Sequence, residues 1–94
     1  MQVSFSSALD NGRAHYSIGR VKAYGRWRAA NEPGAELDRE AAIRALVREA
    51  EDYGADALIE VNFEVEEVPS ADIDGVPLTR LVAAGAAVRF AVAA

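Results

Sequence analysis

The chain contains no cysteine and only one histidine, one tryptophan and one methionine among its 94 residues. Without cysteine there can be no disulfide and no thiolate metal site. The single histidine, His15, cannot complete a zinc or copper site, because such a site needs about four ligands. A soft-metal site within one chain is therefore not predicted, although a symmetric assembly could bring several copies of His15 together.

Long apolar runs are also missing. No segment approaches the roughly 20 apolar residues of a membrane helix, and the N-terminus lacks the basic start and apolar core of a signal peptide. The net charge of −5 disfavours nucleic-acid binding. We therefore expect a cytoplasmic protein that binds neither membranes nor nucleic acid, folded as one domain over residues 1–94.

Motifs for catalysis are missing as well. No serine stands in a glycine elbow, and the glycines do not form a phosphate-binding loop after a strand. Tyr24 and Trp27 could stack on a ligand, although such aromatic residues more often fill a core or an interface. The sequence favours a non-enzymatic protein, with an accessory enzyme whose active site lies at subunit boundaries as the alternative.

Residues 38–54 carry the pattern of one amphipathic helix. Asp38 is the predicted N-cap, because its carboxylate can accept a hydrogen bond from the first-turn N–H groups. Gly54 is predicted to end the helix, since the position after the C-cap favours a left-handed glycine. The apolar stripe predicted to face the core consists of Ile43, Leu46, Val47 and Ala50.

Two alternating segments precede the helix and predict a hairpin. Residues 2–9 form the first predicted strand and residues 13–28 the returning strand. The sequence DNG at 10–12 lies between them, and an Asn-Gly pair is a strong signal for a tight turn. Gly19 and Gly25 interrupt the second segment, where they predict β-bulges or the close approach of another backbone.

Two further strands follow the helix. Residues 57–68 alternate between apolar and polar side chains, which predicts a half-buried strand. Residues 78–92 are apolar on both faces, and one helix does not provide enough cover for such a strand in a small protein. We therefore expect a partner subunit and a homo-oligomer. Four apolar residues of the strand 57–68 are predicted to pack on the helix, namely Ile59, Val61, Phe63 and Val65.

The predicted fold class is α+β in the order β-β-α-β-β, with one helix on one face of a sheet of about four strands. The opposite face of residues 57–68 carries Glu60, Glu64 and Glu66, which could bind a hard divalent cation. Same-face neighbours are roughly 7 Å apart, so a solvated or ion-paired face is the favoured interpretation. If the basic strand adjoins this strand, within a chain or across a subunit boundary, basic residues of matching parity are expected to form cross-strand ion pairs with this row. These residues are Arg20, Lys22, Arg26 and Arg28.

The connection between the last two strands contains the sequence DIDG at 72–75. This sequence is similar to a fragment of a calcium-binding loop, but the rest of that loop, including its distal glutamate, is missing. Aspartate and glycine are also ordinary turn residues. A turn is therefore the favoured interpretation.

Several segments together resemble the YbjQ-like family of small bacterial proteins, which is labelled heavy-metal-binding. The matching segments are YGADALI at 53–59, the following VNFE at 61–64 and the small-residue strand LVAAGAAV at 81–88. The resemblance implies an α+β domain that assembles as a ring, a homopentamer, and that binds a metal ion or a small ligand. Some members have a cysteine in the second strand, and this chain has Ile18 near that position, which weakens the heavy-metal label here.

Overall fold

A mixed five-stranded sheet carries one long helix on one of its faces. The computed structural model describes residues 1–9, 12, 14–30, 32–69 and 75–91. The α+β class and the predicted element order are confirmed, with one additional short strand before the helix. The elements are β1 (Gln2–Val3), β2 (His15–Tyr24), β3 (Arg28–Ala29), α1 (Ala35–Asp52), β4 (Ala57–Val68) and β5 (Leu78–Phe90).

The central strand of the sheet is β5, which lies between β4 and β2. Both neighbours run antiparallel to β5, and β3 continues along the β2 side of it. The strand β1 pairs with β4 in parallel. The predicted hairpin between the first two strands is therefore wrong, because their partners are β4 and β5 and not each other.

The first strand is also shorter than the predicted 2–9. After Val3 the chain bends, and the Ser4 hydroxyl donates a hydrogen bond to the carbonyl of Ala8 at 2.8 Å. The Ser4 N–H donates to the Leu58 carbonyl, and the Ser6 carbonyl accepts from the N–H of Glu60. Serine side chains that bond nearby backbone compete with a regular ladder, so the strand gives way to a compact turn against β4.

Glycine marks both irregularities of the second predicted strand. The β2–β5 register shifts between Ser17 and Gly19, as expected of a bulge. The Gly25 N–H donates to the Leu81 carbonyl at 2.7 Å, and a Cβ at Gly25 would lie 3.0 Å from that oxygen. The predicted interruptions are confirmed, and the strand divides there into β2 and β3.

The helix begins before the predicted N-cap. It starts at Ala35, with Gly34 as the N-cap, so Asp38 lies inside the first turn and the Asp38 prediction is wrong. Its carboxylate is paired with Arg28 instead. At the other end of the helix, the Gly54 N–H donates a hydrogen bond to the Glu51 carbonyl. Gly54 has the left-handed φ of +75°. The prediction that Gly54 ends the helix is therefore confirmed.

A β-bulge in β4 changes which side chains face the helix. Glu60 and Val61 lie opposite the single residue Gly85, and Glu60 has φ +54°. Leu58 packs toward the helix together with Val61 and the half-buried Phe63, whereas Ile59 packs on the opposite face. The prediction that Ile59 faces the helix is wrong because the bulge shifts the alternation.

Both faces of β5 are buried, as predicted from its composition. The helix covers one face with a core of Val21, Ala23, Ala42, Leu46, Ala50, Leu58, Val61, Ala83 and Ala87. The other face is covered by a smaller cluster of Leu9, Ala57, Ile59, Ala86 and Val88. Two of the four predicted stripe residues, Leu46 and Ala50, are fully buried, while Ile43 and Val47 are half-buried. Val65, also predicted to face the helix, is 68% exposed.

The molecule is long and narrow. Its principal extents are 62 × 20 × 16 Å and its Cα radius of gyration is 16.0 Å, against about 12 Å for a compact chain of this length. The paired strands β4 and β5, with 12 and 13 residues, span roughly 40 Å of this length at about 3.3 Å per residue. The helix of the described part of the chain is not apolar enough to cross a bilayer.

Candidate functional site

The four residues predicted as metal ligands are spread along the sheet. His15 lies opposite Phe90 and Glu66 lies opposite Arg80, which places them ten residues apart along β5. At about 3.3 Å per residue, this separation is roughly 33 Å. Glu64 is exposed and lies between them in register. Within the described residues, no three His, Cys, Asp or Glu side chains form a group that could hold a metal ion.

Two of the three predicted carboxylates have arginine partners. The Arg20 Nη1 lies 3.5 Å from the Glu60 carboxylate, and the Arg80 Nη2 lies 3.2 Å from both carboxylate oxygens of Glu66. Carboxylates that are neutralised by arginine are weaker candidates for a cation. The donor set of one chain, in the part that is described, therefore does not fit a heavy-metal site.

Within one chain the basic strand β2 does not adjoin the acidic strand β4, although one of the predicted ion pairs, Arg20 with Glu60, is present. β5 separates β2 from β4, so only Arg20 reaches an acidic residue of β4, across the small side chain of Ala86. Arg26 and Arg28 pair with acidic residues of the β3–α1 connection and of α1 instead. The DIDG sequence at 72–75 lies, apart from Gly75, outside the described residues.

An aromatic sandwich holds Arg80 at one end of the sheet. Its guanidinium carbon lies 4.5 Å from the ring centroid of Tyr24 and 4.6 Å from that of Trp27. The Nη2 atom of Arg80 contacts both carboxylate oxygens of Glu66, which fixes the guanidinium further. The buried Nε of Arg80 has no hydrogen-bond partner among the described residues. Tyr24 and Trp27 therefore stack on an internal cation, in a geometry typical of cation–π contacts.

A cavity of about 580 Å³ lies between the N-terminal half of α1 and the adjoining strands β2 and β5. This volume falls in the range of about 300–1,000 Å³ that small-molecule sites usually have. Its lining combines guanidinium groups with small apolar side chains. The lining residues are Tyr24, Gly25, Arg26, Arg28, Pro33, Gly34, Leu37, Asp38, Ala41, Ala42, Arg44, Ala45 and Leu81.

Arg28 is the buried charged residue of this cavity, with 7% of its side chain exposed. Its Nη1 donates to the Asp38 carboxylate and its Nη2 donates to the Pro33 carbonyl. A buried guanidinium is costly unless it is paired and hydrogen-bonded. These two bonds satisfy that requirement, and they tie β3 to the first turn of α1.

The cavity has a local excess of positive charge. Three arginines line it, namely Arg26, Arg28 and Arg44. Asp38 balances Arg28, and Glu32 lies 3.6 Å from Arg26 and 3.8 Å from Arg28. Arg44 has no ion pair within the described part of the chain. This local excess contrasts with the net charge of −5 of the whole chain.

A smaller cavity of about 140 Å³ adjoins the first. Both cavities are lined by Arg28, Asp38 and Leu81, so the Arg28–Asp38 pair forms part of the wall between them. Arg80 of the aromatic sandwich lines the smaller cavity. The ion pair and the sandwich are therefore neighbouring parts of one polar region.

Sequence reasoning missed this region because it assigned its residues to other roles. Asp38 was predicted to be an N-cap, and Arg28 was predicted to face the acidic row of β4. The one available signal was the turn sequence Pro33-Gly34, which lies between a basic strand end and an acidic helix start. A turn at that place brings Arg28 back to Asp38.

A family model described as "Putative heavy-metal-binding" and named YbjQ_1 matches residues 13–91. The chain belongs to this family, as its resemblance indicated. No curated protein matches the chain.

A crystal structure has the same fold across nearly the whole chain. It is that of a protein of unknown function from Pediococcus pentosaceus ATCC 25745, which belongs to the DUF74 family. The TM-score is 0.70 at 12% sequence identity, and the match covers 97% of this chain and 98% of that chain. At this identity the similarity establishes the shared fold alone.

Proposed function

We propose that this protein is a ring-forming homo-oligomer, a pentamer, that binds a small ligand in the 580 Å³ cavity at the N-terminal end of α1. The observation that carries the proposal is the cavity itself, with a buried Arg28 in its wall that is held by Asp38 and by the Pro33 carbonyl. A rigid charged group beside apolar surface is typical of sites that orient a small molecule.

The lining favours an organic ligand over a bare metal ion. The small and apolar side chains of the wall come from α1 and β5, including Leu37, Ala45 and Leu81. The charged groups are mainly guanidiniums, which do not ligate cations. Asp38, the carboxylate of the lining, is occupied by Arg28.

The exposed apolar surface supports an oligomer. Val65 is 68% exposed and Phe5 is 61% exposed, and Tyr24 also leaves more than half of its surface in contact with water. The strand β2 ends the sheet order, so one edge of this ten-residue strand has no partner within the described chain. Such an edge can pair with another chain. The number five rests on the family resemblance.

Native mass spectrometry tests both parts of the proposal. We expect the intact protein to give a mass of five chains and to carry additional mass from a retained ligand. Denaturing the same sample should give the single-chain mass and release the ligand for identification. A monomer that carries no ligand and is stabilised by no metabolite in a thermal-shift panel would contradict the proposal.

The family description favours a second candidate, which is metal binding at a boundary between subunits. His15 lies in the edge strand β2, and copies of it could come together only across chains. Calorimetric titration with zinc checks this candidate, using His15→Ala as the variant. Submicromolar affinity that is lost in His15→Ala would support the metal site, whereas an unchanged titration would exclude His15 as a ligand.

A further inference from the structure

We infer that the ligand of the cavity is an organic anion, in which a carboxylate or phosphate group is attached to a compact apolar body. This inference deepens the proposed function and rests on it, because it assigns a chemical class to the molecule that occupies the same cavity. The family description concerns heavy metals, and it names neither this cavity nor an organic ligand.

The first support is the distribution of charge. Arg44 lines the cavity from the exposed side of α1 and has no ion pair in the part of the chain that the structure describes. Arg28 uses one N–H on each Nη atom for Asp38 and Pro33, and a guanidinium has five N–H donors. Both arginines can therefore donate to an anion, and guanidinium groups match the oxygens of carboxylate and phosphate.

The second support is the open start of α1 beside these arginines. The N-cap is Gly34, which provides no side-chain cap, and Gly34 itself lines the cavity. The first N–H groups of a helix have no partner within the helix, and they favour negative charge. Gly34 and Leu37 of this helix start line the same cavity as Arg28 and Arg44, so the backbone adds to a site that the side chains define.

The third support is the apolar side of the cavity, which indicates more than an inorganic anion. Leu37 is 69% exposed although it lies at the rim, and Ala41, Ala45 and Leu81 continue the apolar wall. A small apolar group against this wall would be removed from water, at about 25 cal/mol per Å² of buried apolar surface. The combination of guanidiniums and an apolar wall fits an amphiphilic anion better than free phosphate.

The test is isothermal titration calorimetry of the intact protein with four probes. Phenyl phosphate carries both an anion and an apolar ring, inorganic phosphate carries the anion alone, benzyl alcohol carries the ring alone, and benzylamine carries the ring with a positive charge. We expect phenyl phosphate to bind about tenfold more tightly than inorganic phosphate, since ring burial adds to the charge interaction. Benzylamine should show no binding at millimolar concentration.

Two matched variants assign the binding to the cavity. Arg44→Gln and Arg48→Gln remove the same charge from the same helix, and Arg48 lies one turn further on and does not line the cavity. We expect Arg44→Gln to weaken phenyl phosphate binding roughly three- to tenfold, because a charge-assisted hydrogen bond is lost. Arg48→Gln should change it by less than about twofold, because Arg48 is exposed to solvent and does not line the cavity.

The outcomes separate this inference from the proposed function. If benzyl alcohol or benzylamine binds and the anions do not, the anion class is overturned while small-ligand binding stands. If no probe binds, or if the two variants weaken phenyl phosphate equally, the inference is also overturned. A ligand retained in native mass spectrometry would then still support the proposed function.

Discussion

Glu60 is the described non-glycine residue with a positive φ, at +54°. The left-handed conformation costs a residue with a Cβ about 1–2 kcal/mol. The surrounding backbone holds it there, because the Glu60 N–H donates to the Ser6 carbonyl at 2.9 Å and the Val61 N–H donates to the Ser4 carbonyl at 3.1 Å. The ion pair with Arg20 adds little, since both side chains are about half exposed.

We therefore expect Glu60→Gly to be more stable than Glu60→Ala by about 1 kcal/mol, because glycine adopts this backbone conformation without strain. Both variants lose the ion pair with Arg20, so its contribution cancels in the comparison. In an ordinary strand position alanine would be the more stable of the two. Urea unfolding followed by circular dichroism measures the difference, and equal stabilities would mean that the bulge relaxes when the side chain is removed.

At the residue scale, the candidate site was only partly predictable. The charged residues and the turn at 33–34 can be identified from the sequence. The sequence does not specify which residues form ion pairs, because Arg28 could pair with any acidic residue that the fold brings near. The correct partner, Asp38, depends on where α1 begins, and Gly34 begins it four residues before Asp38. A helix start is weakly encoded when its N-cap has no side chain.

At the scale of elements, the helix stop and the long strands were predictable because each has a strong local signal. Gly54 marks the stop and the alternation of residues 57–68 marks β4. The faces of β4 were not predictable. The bulge at Glu60 carries no glycine or proline, so nothing in the sequence shows that the alternation shifts there. The partner of β1 was also hidden, since alternation identifies a strand but not its neighbour.

The bulge explains why β5 has a glycine at position 85. A Cβ at Gly85 would lie 3.2 Å from the Ile59 carbonyl oxygen and 3.2 Å from the Val61 Cγ2. Both contacts are tighter than normal van der Waals distance, and one of them is with backbone that cannot move without disturbing the pairing of β4. Small residues in this strand therefore allow β4 to come close where it bulges.

We expect Gly85→Ala to lower the free energy of unfolding by about 1–3 kcal/mol, the usual cost of overpacking a core. In a Val61→Ala background the further loss should be smaller, because the Cγ2 contact has gone and only the Ile59 carbonyl remains. A double-mutant cycle by urea unfolding measures this coupling. A neutral Gly85→Ala, or identical losses in the two backgrounds, would show that the strands separate easily at this point.

At the scale of the whole molecule, the strands β4 and β5 extend beyond the part of the sheet that the helix covers. The single helix packs mainly against β2 and β5, while β4 and β5 extend to a length of 12 and 13 residues. Exposed apolar side chains on these strands include Val65, Val68 and Leu78. The composition of β5 predicted that a partner subunit covers the face of the sheet opposite to the helix. Within the chain, Leu9 and its neighbours cover part of this face. The apolar surface left over lies toward the other end of the strands.

Val65 is the most direct place to test whether a second copy covers this surface. It is 68% exposed, and its neighbours in sequence are Glu64 and Glu66, so an apolar residue stands alone in an acidic stretch. Burying a carboxylate in an interface is costly, because the desolvation penalty can exceed the attraction of the arginines that line the smaller cavity with Val65. We therefore expect Val65→Glu to reduce the molar mass in size-exclusion chromatography with light scattering. The circular dichroism spectrum should stay unchanged, because the residue contributes little to the core of one chain.

Two control variants should keep the full molar mass. Val65→Ile keeps an apolar side chain at the same position. Tyr53→Glu places the same charge on a residue that is 63% exposed at the end of α1. A wild-type chain that is monomeric at micromolar concentration, or a Val65→Glu variant that assembles normally, would show that this surface stays in contact with water.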